Sequence, residues 1–141
     1  MGVRVRLAIK SVDTGVEVTT AALVNSGYEV EEPELLVPRR LAEYLGIPTR
    51  PPRARIELYE TPTGVFHMVL APRALSVHLV DVCKRVENVH ALVSDSEREV
   101  LISDALASAL GIQIIDAKKG LWRLSSDPPD TVRESCGPEY W

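Results

Sequence analysis

Residues 22–47 read ALVNSGYEVEEPELLVPRRLAEYLGI, and residues 91–112 read ALVSDSEREVLISDALASALGI. Both begin Ala-Leu-Val, pass through a polar loop, form a short apolar strand and enter a helix ending Leu-Gly-Ile. From Leu36 and Leu101 onward the two stay 65 positions apart, so Leu41/Leu106, Ala42/Ala107, Leu45/Leu110, Gly46/Gly111 and Ile47/Ile112 coincide. Ala22 and Ala91 are 69 positions apart, so the first loop is four residues longer. Chance likeness between two Leu- and Ala-rich helices is the plain alternative. The shared order points instead to one supersecondary unit used twice. Neither copy can close a core alone, so the two are expected to pack about a pseudo-twofold axis. The expected fold is mostly β with two short helices.

Upstream of the first copy, Val3, Val5, Leu7 and Ile9 alternate with Arg4, Arg6, Ala8 and Lys10, the period of a strand with one buried face. Val12-Asp13-Thr14-Gly15-Val16 has turn chemistry, and a strand from Val16 to about Thr20 completes a hairpin. Ala21 to Val24 is a continuous apolar run, as in a strand buried on both faces. Glu34 to Pro38 reads as a strand. Arg39 to Leu45 has helical spacing, with Gly46 as its stop. Beyond the Pro-rich residues 48–52, Arg55 to Leu58 and Val65 to Leu70 form a second hairpin around Glu60-Thr61-Pro62-Thr63-Gly64. Ser76 to Val82 alternates Val77, Leu79 and Asp81 against His78, Val80 and Val82, which leaves its facing open. Val89 to Val93 and Val100 to Ile102 read as strands, and a helix runs from about Asp104 to Leu110. Ile112 to Ile115 and Leu121 to Leu124 read as strands around Lys118-Lys119-Gly120. One domain is thus expected over residues 1–126. A tail over residues 127–141 is expected to be irregular.

Composition narrows the function classes. A chain of 141 residues suits one domain, which buries roughly two-thirds of its unfolded surface and needs no disulfide or metal to fold. A net charge of −4 argues against a nucleic-acid partner. No run reaches the roughly 18 apolar residues of a membrane span. The N-terminus lacks a signal-peptide core, so a cytoplasmic location is expected. Two asparagines and one glutamine, beside abundant Glu, Arg, Val and Pro, fit adaptation to heat. Cys83 and Cys136 make no disulfide framework. His67, His78 and His90 share no metal-ligand spacing and read as strand surface residues, so neither metal nor cofactor is expected. Glu29, Glu31, Glu32 and Glu34 form an acidic run with two readings. One is a solvated loop; the other is a cluster that favours basic peptides or binds a cation.

The order of elements resembles that of the retropepsin-like aspartic proteases. Ala22-Leu23-Val24-Asn25-Ser26-Gly27 is similar to the family's apolar strand ending in Asp-Thr/Ser-Gly. Leu35-Leu36-Val37-Pro38 and the helix to Gly46 are similar to its continuation. Val100-Leu101-Ile102-Ser103-Asp104 and the helix to Gly111 are similar to the second half, where Ser103 stands in place of the usual Gly. The likeness covers Val3 to Leu124. It implies a closed acid-protease β-barrel, probed by a peptide or protein ligand in a groove between the subunits of a homodimer. It also implies a flap carrying Tyr59, Glu60, Thr61, Thr63, Gly64 and Phe66, for which a plain surface hairpin is the alternative. Asn25, Ser26 and Gly27 then occupy the catalytic position. Asp13-Thr14-Gly15, which spells the protease signature, sits at a hairpin tip and reads as a turn.

By the same resemblance, hydrolysis needs two aspartates, one from each subunit, close enough to share a proton. One takes a proton from water while the other protonates the peptide carbonyl. An asparagine amide does neither. The leading expectation is therefore a catalytically degenerate module that binds peptide or protein. Two alternatives stand beside it. One is an active endopeptidase, through deamidation of Asn25 or through another acid such as Asp104. The other is a structural or assembly protein whose groove is closed, for example by the tail ending Tyr140-Trp141.

Overall fold

A computed structural model of the chain describes residues 2–80 and 82–141, without the side chain of Thr61. Asp81 lies outside the described residues. Among the described residues, ten strands and two helices follow one another: β1 (Arg4–Ser11), β2 (Glu17–Val24), β3 (Glu34–Pro38), α1 (Arg39–Leu45), β4 (Arg55–Thr61), β5 (Gly64–Leu79), β6 (Arg85–Ser94), β7 (Val100–Ile102), α2 (Asp104–Leu110), β8 (Ile112–Asp116), β9 (Leu121–Leu124) and β10 (Arg133–Glu134). Strands β1-β2-β7-β3-β6-β5 pair in that order and β5 returns to β1, so six strands close a barrel. The protein is mostly β, as its patterning implies. Strand β4 lies outside the closure and pairs only with the first half of β5.

The apolar runs make sense once both faces of these strands are followed. Successive strand residues point to opposite faces. On β3, Leu35 and Val37 enter the main core, while Leu36 faces the other way. Likewise Ala91 and Val93 of β6, and Val100 and Ile102 of β7, are core residues. Their neighbours Leu92 and Leu101 join Leu36 and Leu70 in a second, smaller cluster. A strand that is apolar on both faces shows no alternation, which is why these segments are continuous hydrophobic runs.

Both helices are seven residues long and cover the main core with matching positions: Leu41, Ala42 and Leu45 from α1, and Leu106, Ala107 and Leu110 from α2. Each ends on a left-handed glycine, Gly46 at φ 71° and Gly111 at φ 76°, where an L side chain would be strained. The Asp13-Thr14-Gly15 turn packs against the end of α1. The Thr14 hydroxyl donates to the Leu45 carbonyl at 2.6 Å, and Asp13 pairs with Arg53. This tripeptide is a clasp between the first hairpin and the first helix.

Three features differ from the sequence expectation. The run Ala21 to Val24 is not a separate strand, because it continues β2 without a break. The stretch read as Val65 to Leu70 and the first part of that read as Ser76 to Val82, Ser76 to Leu79, belong to one bent strand, β5, of 16 residues. Its register against β6 shifts between Ala71 and Leu75, and Arg73 takes φ 52° there. The bulge accommodates Pro72, which has no amide hydrogen for the ladder. Finally, residues 127–141 are irregular except for the two-residue β10, which pairs with β9. They are anchored further by Trp141, whose ring nitrogen donates to Thr20 Oγ1 at 3.1 Å, and by Glu139, which accepts from the Ala21 amide at 2.8 Å.

Candidate functional site

The second hydrophobic cluster is covered incompletely. The β4–β5 hairpin arches over it and leaves a cleft of about 590 Å³. Leu36, Leu92 and Leu101 form its floor, and Tyr59, Phe66 and Met68 face it from the hairpin. Tyr59 and Phe66 are register partners across β4 and β5, so they stand side by side on one face. Thr63 and Glu60 line the cleft near the hairpin tip. Gly64, at φ 140°, begins β5 directly after the Pro62-Thr63 turn and is not among the lining residues. Of Thr61 only the backbone, at the end of β4, is described.

At one end of the cleft, β2 stops at Asn25. The Asn25 amide donates to the Ile102 carbonyl at 3.0 Å, which holds the turn against β7. The Gly27 amide donates to Asn25 Oδ1 at 3.1 Å, and the Tyr28 amide donates to the Asn25 carbonyl at 3.0 Å. This is an Asx turn, in which the side-chain oxygen mimics a backbone acceptor. Asn25 and Gly27 line the cleft; Ser26 is exposed and does not. The opposite loop, after β6, is built in the same way. Ser94 Oγ accepts from the Ser96 amide at 3.2 Å and the Glu97 amide at 3.1 Å, and Ser96 and Glu97 also line the cleft.

Beneath the hairpin lies a polar group that the sequence conceals. Glu34 belongs to the acidic run read as a loop or cluster, yet its side chain points to the second cluster and the residue is only 5% exposed. Tyr28 Oη donates to its carboxylate at 2.5 Å and Tyr59 Oη at 3.3 Å. Burial pushes the Glu34 carboxyl above the usual range, against the opposing pull of the two tyrosine hydrogen bonds. Burial beside this acid also raises both phenols, so both remain donors. Tyr59 thereby ties the hairpin to β3. The rest of the run separates: Glu29 reaches the cleft, and Glu32 Oε1 lies 3.4 Å from His90 Nε2. His90 is not the surface residue its spacing suggests. Its side chain is 13% exposed, and its Nδ1 accepts from the Arg73 amide at 3.0 Å, closing the gap at the β5 bulge.

The Asn25 end of the site is also fixed by Ser103 and Asp104, whose amide donates to the Tyr28 carbonyl at 2.9 Å. Ser103 is fully buried and caps α2 by accepting from the Leu106 amide at 3.2 Å. The same hydroxyl donates to the Glu34 carbonyl at 2.7 Å. Asp104 Oδ1 accepts from the Val30 amide at 3.0 Å and the Ala105 amide at 2.7 Å, so it clips the loop after Asn25 to α2. Asp104 does not line the cleft, and neither does any residue of the tail. No group of three or more His, Cys, Asp or Glu among the described residues is arranged to hold a metal ion. Among the described residues, no helix is long and apolar enough to cross a membrane.

The structure therefore brings Asn25, Gly27, Tyr59, Glu60, Thr63 and Phe66 to one cleft. Sequence reasoning missed Tyr28, Met68 and the three floor leucines. The signal for the floor was present in the unbroken apolar runs, whose second face had to cover something. Compared with models of known protein families, the sequence matches none, and no curated protein matches it either.

Proposed function

We propose that this chain is a retropepsin-like module that has lost its catalytic acid and binds peptide or protein segments in the cleft beside Asn25, working as a homodimer. One observation carries the proposal. The cleft ends on a side chain held in a turn at the mouth of a buried strand, and that side chain is an amide. No aspartate, histidine or cysteine is among the described lining residues. An amide neither shares a proton with a twin nor takes one from water near neutral pH. It still offers the shape and hydrogen bonds of the residue it replaces.

The strand pairings support the pseudo-twofold repeat. Exchanging the two units turns the parallel pair Leu23↔Leu101 into Leu92↔Leu36, and leaves the antiparallel pair Leu36↔Leu101 unchanged. The same exchange places Asn25 on Ser94, and both accept an amide two residues ahead. Support for the homodimer is the edge strand β8, where Ile114 and Ile115 are 42% and 46% exposed. A sheet edge with exposed apolar residues favours pairing.

The test is a peptide library incubated with the wild-type protein and Asn25→Ala from acidic to neutral pH, with peptide mapping of residue 25. Library peptides are expected to bind and to stay intact with both proteins. Cleavage by the wild type that Asn25→Ala abolishes would overturn the degenerate reading, and an aspartate mapped at position 25 would identify its source. Sedimentation showing only monomer at about 100 μM would remove the homodimer.

A further inference from the structure

The cleft has an apolar floor and a rim of one sign. Glu29 follows β2, Glu60 stands near the hairpin tip and Glu97 belongs to the loop before β7. Three separate segments thus bring a carboxylate to one opening, and all three residues are exposed. None of the three is in an ion pair among the described residues. No lysine or arginine is among the described residues that line the cleft. Three arginines nearby in sequence are engaged elsewhere. Arg55 pairs with Glu57, Arg39 grips Asp95 through two nitrogens, and Arg98 lies over the Tyr140 ring at 5.7 Å. The rim is therefore an uncompensated negative field around an apolar floor.

We infer that the segment bound here is cationic: an extended peptide that seats one large apolar side chain on the leucine floor and carries Lys or Arg on both sides of it. This rests on the peptide-binding reading above and adds the substrate class. Phe66, 42% exposed, and the partly exposed Tyr59 and Met68 above the leucine floor reward an aliphatic or aromatic side chain by removing apolar surface from water. The carboxylates reward flanking cations and repel acidic segments, which sets selectivity more than total affinity. Exposed pairs are individually weak, so three together are expected to supply about tenfold in affinity.

The experiment measures fluorescence anisotropy with three labelled peptides that share a central Leu-Phe and differ only in flanks of Arg, Ser or Glu. They are titrated against the wild type and the triple variant Glu29→Gln/Glu60→Gln/Glu97→Gln. The wild type is expected to bind the Arg peptide about tenfold more tightly than the Ser peptide, and the Glu peptide least. The triple variant is expected to bind all three alike, at the affinity of the wild type for the Ser peptide. That retained affinity also shows that the variant is folded. Raising salt from about 0.05 to about 0.5 M is expected to erase the difference in the wild type. Equal binding of the Arg and Ser peptides by the wild type overturns the charge selectivity and leaves peptide binding standing. Failure of all three peptides to bind overturns both. Displacement of the Arg peptide by millimolar Ca²⁺ at constant ionic strength would make the rim a metal site and overturn the inference. So would a triple variant that shifts the monomer–dimer equilibrium, since the rim would then face a second copy.

Discussion

Leu35 and Leu36 are neighbours on β3, yet they belong to different environments. Leu35 is fully buried in the main core, closed by both helices and the barrel. Leu36, at 6% exposure, sits in the small cluster whose other side is the cleft. The same strands thus serve two purposes. One face holds the fold together; the other is a platform left partly uncovered. The difference teaches where function has room, because a closed core has no space for a ligand and a half-covered one does.

Truncation should separate the two faces. Leu35→Ala opens a cavity inside the main core, and a loss of about 3–5 kcal/mol is expected in urea denaturation. Leu36→Ala removes the same atoms beside an open cleft, where neighbours and water can respond, and a loss of about 2 kcal/mol is expected. Its larger consequence should be weaker binding of apolar peptides. Equal losses from the two substitutions would show that the second cluster is as closed as the first.

Ser103 joins the two faces, since its hydroxyl caps α2 and bonds the backbone of Glu34. Ser103→Ala is expected to cost about 1–2 kcal/mol by the same assay. A loss below about 0.5 kcal/mol would mean that the cap is replaceable. Glu34 should produce the smallest effect, visible as a pH dependence. Its carboxyl is raised in the folded protein, so the fold favours the protonated form. The stability this contributes is fully present below the unfolded value of about 4.3 and is lost as pH rises through the folded value. Glu34→Gln, which keeps an acceptor for the two tyrosines, should flatten that decline. The melting temperature of the variant relative to the wild type is expected to climb as pH rises from about 4 to 8. Parallel curves would place Glu34 in solvent and undo the contrast between a dry hairpin base and a wet cleft mouth.

Much of the architecture could be read locally. Alternation in Val3 to Ile9 marks β1, and the spacing of Leu41, Ala42 and Leu45 before Gly46 marks α1 at the bounds observed. Strand β7 and helix α2 were equally plain. The continuity of β5 was not, since pairing with β6 and β1, helped by His90, carries the strand past Pro72. At the site, Asn25 and the hairpin aromatics Tyr59 and Phe66 were singled out through the family resemblance, and all three line the cleft. Glu34 was not, because nothing in a run of glutamates says which one folds inward.

By itself the sequence determined a mostly β chain, two short capped helices and an Asn-Ser-Gly turn at the end of a buried strand. These depend on backbone period, helix caps and side chains that bond their own neighbours, which are interactions over a few residues. Tertiary structure decided the rest: which face of each apolar strand is covered, that Glu34 lies beneath two tyrosines, and that Glu29, Glu60 and Glu97 meet at one opening. Those outcomes depend on strands far apart in the chain becoming neighbours, and burial and electric field follow from neighbours in space.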